Sequence, residues 1–297
     1  MWLVMAVALL ADSAQDFRVV VGRAESLHVV VAGHGEPVVL LPGLFGSAYG
    51  FRKVIPLLTG AGYRTIVVEP LGIGTSSRPE RADYSLGAQT ERVAAVLDSL
   101  RVQDAIVVGH SIGGAIAFRL SFRRPDQVGA LISIESGPTE AAATPAFRRA
   151  MRFAHWIKIF GGIKLIRRMI RRSLISSSGD TTWISDSVVA GYTAGAAANL
   201  DATLKAFLRM AEGHERYKLE PHLQEIRCPV RLLVGGVRHD GDVGPDEVVL
   251  LRSRLRLFAL DSLPGVGHYP QEERPQSVLE VVARARVSMG GTPRRSE

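Results

Sequence analysis

The sequence predicts an α/β protein in which a mostly parallel, eight-stranded sheet is flanked by helices and interrupted once by a helical insertion. Three observations carry that expectation. Short continuous runs of Val, Ile and Leu, bounded by Gly or Pro, recur along the chain, the pattern of strands buried on both faces. Helical periods lie between several of these runs, which implies parallel strands joined by crossover helices. From Pro138 to about Pro221 the alternation stops, and segments of helical spacing continue without a convincing strand.

Taken in order, the strands are expected at residues 17–21, 28–31, 38–41, 65–68, 105–108, 131–134, 231–234 and 256–260. The first two or three are joined by short turns and are expected to be antiparallel. Val93, Val96, Leu97 and Leu100 fall on one helical face, and Ser85 is placed to cap that helix. A second helix is expected from Ser111 to about Phe122. Two more follow Pro245 and Pro275, because proline fits the first helical turn, where its missing N–H is not needed. The insertion carries Phe147, Phe153, Trp156, Ile159, Phe160, Ile163, Ile166 and Ile170, with Gly161-Gly162 as a break between two helices. The division that follows is a candidate leader at 1–16, core at 17–137, helical cap at 138–222, core at 223–289 and a disordered tail at 290–297.

Composition bounds the function. With 297 residues and 46% hydrophobic side chains a sizeable core can form, and 22% charged residues is ordinary. The single cysteine, Cys228, excludes an internal disulfide. No Cys/His cluster has metal-ligand spacing. The net charge of +7 is concentrated: nine Lys/Arg and no acid occur from Phe147 to Arg172, and no acid lies between Glu140 and Asp180. That stripe is either the solvated face of amphipathic helices or a weak membrane-surface contact; no nucleic-acid partner is expected. The first residues form an apolar run like that of a signal peptide, with a small-x-small site at Ala11, Asp12 and Ser13, but no Lys or Arg precedes Arg18. Cytoplasmic and exported locations both stay open. The run is too short to span a bilayer.

The chemistry centers on Gly109-His110-Ser111-Ile112-Gly113. Strand 105–108 ends just before it and a helix begins just after. Ser111 therefore sits on a sharp strand-to-helix turn, and the flanking glycines relieve crowding there. Its hydroxyl is directed to the carboxyl edge of the sheet, where helix N–H groups also point. That combination favors attack on a carbonyl and stabilization of the oxyanion.

With this block, three others make the sequence resemble the α/β-hydrolase superfamily, in its capped serine-esterase-like branch, over nearly the whole chain from Phe17 to Ser288. Leu41-Pro42-Gly43-Leu44-Phe45-Gly46-Ser47 is similar to the family's oxyanion loop, with Pro42 where His is common. Glu69-Pro70-Leu71-Gly72-Ile73-Gly74-Thr75-Ser76 looks like its Asp-x-x-Gly-x-Gly-x-Ser turn, with Glu for Asp. Gly265-Val266-Gly267-His268-Tyr269-Pro270 resembles its histidine loop. The resemblance implies Ser111 as nucleophile, His268 as base, and the backbone N–H groups of Leu44 and Ile112 as the oxyanion hole. His110 is expected to point away from the hydroxyl, and His239 to be a surface loop residue.

The acid that orients the base stays open. Asp240 lies after strand 231–234, in the family's commonest position, and its loop also offers Asp242. Glu135 ends strand 131–134, 24 residues after the serine, where some capped members carry the acid. A charged residue finishing an apolar strand needs a partner or water. The expected activity is hydrolysis of an ester-like bond in a small apolar substrate, an acyl-transfer chemistry that implies neither a metal nor an organic cofactor. The alternatives are a cofactor-free haloperoxidase or perhydrolase, a carbon–carbon bond hydrolase, and a non-catalytic ligand-binding receptor. Serine at 111 argues against the dehalogenase and epoxide hydrolase branches, which need a carboxylate nucleophile.

Overall fold

Alternation along each strand decides the architecture. In β3 (Glu36–Leu41), Val39 and Leu41 join one apolar cluster while Val38 and Leu40 join another. In β5 (Ala105–His110), Ala105 and Val107 face the first cluster and Ile106 and Val108 the second. Successive side chains point to opposite faces of a strand, so a sheet with two such cores must be covered on both sides. This explains why the strands read as unbroken apolar runs.

The structure is a computed structural model and describes residues 14–141, 148–149, 162–213, 215 and 217–290. The other strands are β1 (Gln15–Gly22), β2 (Glu25–Ala32), β4 (Tyr63–Glu69), β6 (Val128–Ile134), β7 (Val230–Gly235) and β8 (Phe258–Leu263). They form one sheet in the order β1-β2-β4-β3-β5-β6-β7-β8. β2 runs antiparallel to both neighbors, β1 and β4, and every other pair is parallel. β3, grouped in the sequence with the antiparallel start, is parallel to β4 and β5. β1 begins at Gln15, inside the segment 1–16 assigned to a leader.

Helices α1 (Val54–Gly60), α2 (Leu86–Ser99) and α3 (Ile112–Arg123) alternate with the first strands. Ser85 accepts the Ala88 N–H at 3.3 Å, satisfying one of the first-turn donors of α2. α2 and α3 cover one face of the sheet through Val93, Leu97, Ile116 and Phe118. The insertion between β6 and β7 holds α4 (Gly162–Ser176), α5 (Asp186–Tyr192), α6 (Ala194–Ala198) and α7 (Leu200–Glu212). No described residue between 138 and 222 is in a strand. In α4, Ile166, Ile170 and Leu174 are buried at four-residue spacing, while Lys164, Arg168 and Arg172 are exposed on the opposite side. α8 (Pro245–Arg254) and α10 (Pro275–Ser288) both open on proline, and a short α9 (Pro270–Glu273) precedes the last helix. The second face of the sheet is closed by α1 and α10 through Val54, Leu58, Val278, Val281 and Val282. Phe147, Phe153, Trp156, Ile159, Phe160 and Gly161 lie outside the described residues, as do residues 1–13 and 291–297.

Candidate active site

Ser111 occupies the junction of β5 and α3 with φ 53° and ψ −124°. A non-glycine side chain in that region is strained by about 1–3 kcal/mol and persists only where its surroundings fix it. Three contacts do so. The Ser111 N–H donates to the Ile134 carbonyl at 2.9 Å, and its own carbonyl accepts from Gly114 at 2.8 Å and Ala115 at 3.3 Å. A side chain at Gly113 would collide with the Leu41 carbonyl, and one at Gly109 with the Gly113 backbone. The N–H of Ile112, in the first turn of α3, has no partner within the helix.

The loop after β3 packs directly on this turn. A Cβ built at Gly43 would lie 3.2 Å from Ser111 Cβ and 3.0 Å from His110 Nδ1. Gly46 closes the loop by donating to the Gly43 carbonyl at 2.9 Å. Together these segments form the floor of a cavity of about 450 Å³ whose lining includes Leu44, Ser111, Asp240 and His268. The insertion supplies the roof, with Ile166, Ile170, Leu204 and Phe207 facing inward. Phe207 meets Phe45 edge-on, ring centroids 5.2 Å apart. The walls are thus mainly apolar with a few polar groups among them, the ordinary composition of a small-molecule site.

His268 lies between two other imidazoles, His110 and His239, each with its ring centroid 4.8 Å away. Burial holds its pKa well below the usual imidazole value, and the two neighboring rings lower it further. It is therefore neutral near pH 7 and able to accept a proton. Its backbone is fixed on both sides: the His268 N–H donates to the Ser177 carbonyl at 2.6 Å, and its carbonyl accepts from His110 Nε2 at 2.8 Å. Burial pushes His110 down to about 4, so it too is neutral, with its proton on Nε2. As expected, His110 is committed away from the serine hydroxyl.

The candidate acids differ in placement. Glu135, at φ 51°, is 2% exposed and accepts the Gly235 N–H. One of its carboxylate oxygens, one ring nitrogen of His239 and one of His268 lie within 4.8 Å of one another. Asp240 is exposed and lines the cavity. Asp242 is held by Arg238 at 3.0 Å. His239 is a correction to the sequence reading: its side chain is 1% exposed, with Nε2 3.2 Å from Glu135 Oε2. Burial lowers its pKa, but the Glu135 carboxylate prevails and the net shift is upward. Its position after β7 turns it inward toward Glu135, which a loop rich in Gly and Asp does not reveal.

Two buried carboxylates, Glu69 and Glu272, and a half-buried one, Glu273, brace the site and were not singled out by function. Glu69 accepts from Ala48 at 2.9 Å and Thr75 at 2.6 Å, so it ties β4 to the segment after the Gly43 loop. Glu272 pairs with Arg52 and accepts the Tyr192 hydroxyl at 2.9 Å. Glu273 accepts three backbone N–H groups: Gly179 at 2.9 Å, Asp180 at 2.8 Å and Gly267 at 3.0 Å. The histidine loop was the signal for the last two; of their partners, Tyr192, Gly179 and Asp180 come from the insertion and were not visible.

A family model for the alpha/beta hydrolase fold matches residues 36–156. The uncharacterized hydrolase YugF of Bacillus subtilis is 27% identical over 253 residues, covering 84% of this chain and 89% of that protein. Epoxide hydrolase B of Mycobacterium tuberculosis is 35% identical over 127 residues, 41% of this chain, and the match spans only 35% of that protein's length. A thermophilic esterase from Thermogutta terrifontis shares the fold, with a TM-score of 0.74 at 20% identity over 93% of this chain and 99% of that one. The sheet order, the strained serine turn, the family-model match over residues 36–156 and these likenesses together give the chain the α/β-hydrolase fold.

Proposed function

We propose that the protein is a serine hydrolase that cleaves an ester-type acyl bond of a small apolar or moderately amphipathic substrate. One observation carries this reading: Ser111 is held in a strained turn on the wall of the same cavity that His268 enters. His268 takes the Ser111 proton, and Oγ attacks the acyl carbon. The N–H groups of Leu44 and Ile112 receive the oxyanion. The proton passes from His268 to the leaving alcohol. Water, activated by His268, then attacks the acyl-enzyme, releasing the acid and restoring Ser111. Glu135 is favored over Asp240 as the acid, because it is buried beside His268 whereas Asp240 is exposed. Epoxide hydrolase chemistry fits less well, since Ser111 supplies no carboxylate nucleophile.

The outer face of α4 belongs to the same reading. Lys164, Arg168 and Arg172 are exposed there, with Met169 37% and Ile175 46% exposed among them. No acid occurs between Glu140 and Asp180 to neutralize them from within the segment. We propose that this face draws the cavity mouth toward anionic, amphipathic surfaces.

Labeling with a fluorophosphonate probe, peptide mapping and a panel of p-nitrophenyl esters test the assignment. The expected result is modification of Ser111, turnover of short apolar esters, and a loss of roughly 10³-fold or more in Ser111→Ala. Glu135→Gln should cost far more rate than Asp240→Asn. Saturable ester binding without turnover would point instead to a ligand-binding receptor, and labeling elsewhere would remove the reading.

A further inference from the structure

Glu135, His239 and His268 come from three separate segments, and no sequence spacing relates them. The fold nevertheless brings a carboxylate oxygen and two ring nitrogens within 4.8 Å of one another. Two features distinguish this cluster from an ordinary ion pair. His239 Nε2 and His268 Nδ1 are both buried without a hydrogen-bond partner. The contact of His239 Nε2 with Glu135 Oε2, at 3.2 Å, is close, yet it does not form a hydrogen bond. Leaving a buried polar atom unpaired is costly, and each of the two histidines in this cluster holds one.

The second feature is the support behind each group. His239 Nδ1 lies 3.3 Å from the Asp240 carbonyl, which accepts its N–H, so Nε2 is the ring nitrogen turned toward Glu135. Glu135 is oriented by the Gly235 N–H. The His268 backbone is fixed by His110 and Ser177. Metal-ligating histidines characteristically donate their other ring N–H to a carbonyl or carboxylate, and ligating carboxylates are themselves hydrogen-bonded. Two imidazoles and a carboxylate suit zinc, with a fourth position left for water or substrate.

We propose that Glu135, His239 and His268 form a binding site for a divalent transition-metal ion of the zinc type, and that its occupancy arrests hydrolysis. The binding half stands on geometry alone. The inhibition half rests on the reading of His268 as the base: with one ring nitrogen coordinated to a dication, the ring cannot take up a second proton from Ser111. No residue other than His239 is needed for the metal and not for the reaction, so His239 separates the two.

The test uses the full chain, stripped by chelator and then titrated with Co²⁺, whose visible bands report four-coordination, and with Zn²⁺ in competition with a chromophoric chelator. One ion per chain is expected. His239→Gln and Glu135→Gln should each weaken binding at least about tenfold, whereas His222→Gln, a surface histidine, should not. In the chelated state His239→Gln should still turn over p-nitrophenyl esters while having lost sensitivity to zinc. His239→Asn serves if the first variant does not fold, and the wild-type Co²⁺ spectrum is independent of both. Absence of a four-coordinate Co²⁺ spectrum, or binding and inhibition unchanged in the His239 variants, would overturn the proposal. His239-dependent binding in a protein that turns over no ester would leave the metal site standing and remove the inhibition half along with the serine hydrolase reading.

Discussion

The Nε2–H of His110 donates to the backbone carbonyl of His268 across 2.8 Å, so the residue beside Ser111 holds the loop that carries the neighboring imidazole. His110 is 6% exposed, and water cannot replace the bond. His110→Phe should leave that carbonyl unpaired and lower stability by about 1–3 kcal/mol. It should also reduce ester turnover, because the His268 ring is positioned through this backbone. His110→Gln keeps a donor and should retain more of both. Urea denaturation and kcat measured on the two variants decide it; equal losses would show that ring packing, not the hydrogen bond, matters.

Glu273 joins the same loop to the insertion by accepting N–H groups from Gly179, Asp180 and Gly267. The junction is tight: a side chain at Gly267 would meet the Ser177 carbonyl, and one at Gly179 the Gly265 carbonyl. Glu273→Ala frees three donors at once, and two of them lie at an exposed edge where water substitutes. The expected outcome is therefore a modest stability loss with faster amide exchange confined to residues 177–180 and 265–268, and a fall in kcat/KM. Hydrogen exchange read at these two segments checks the coupling; faster exchange in only one of them would break it.

The central strands were legible because burial on both faces writes itself as unbroken apolar runs, as in Ala105 to Val108. Ser111 was legible for a different reason: a strained turn needs glycine at fixed offsets on either side. The direction of β3 was not, since a short turn joins β2 to β3 while β4 inserts between them in the sheet. His239 was missed because burial of a loop side chain depends on what packs against it, here Glu135 from β6 and His268 from the last loop. The same holds for Glu273, two of whose three partners lie more than ninety residues away on the insertion.

His28 gives stability a pH dependence remote from the cavity. Its Nδ1 lies 3.0 Å from Glu69 and its Nε2 2.6 Å from Asp16. The Glu69 carboxylate raises the His28 pKa above 6.5; burial opposes this, and Asp16 adds to it. The folded state thus binds the proton more tightly than the unfolded chain. The resulting stabilization is complete below the unfolded value of about 6.5 and is lost as pH rises through the raised folded value. The difference in unfolding free energy between wild type and His28→Gln should be largest in mild acid and should shrink on the alkaline side. A difference that grows with pH would reverse the assignment.

The last prediction concerns the roof helix. On α4, Arg171 is paired with Asp186 and Arg167 lies 3.4 Å from the Thr193 hydroxyl, whereas Lys164, Arg168 and Arg172 are exposed on the outer side. Each basic residue near an anionic bilayer contributes about 1 kcal/mol, screened within a Debye length. Exposed Met169 also lines the cavity, so a bilayer held by this face would lie at its mouth. No described helix is long and apolar enough to cross a membrane. Co-sedimentation with phosphatidylglycerol-containing vesicles should exceed that with pure phosphatidylcholine and should fall with added salt. The triple variant Lys164→Glu, Arg168→Glu, Arg172→Glu should lose the difference while hydrolyzing soluble esters normally. Reversal at Arg171 alone should matter less, because its charge is already met by Asp186. Equal sedimentation with both vesicle types in wild type would mean that the basic stripe is only a solvated helix face.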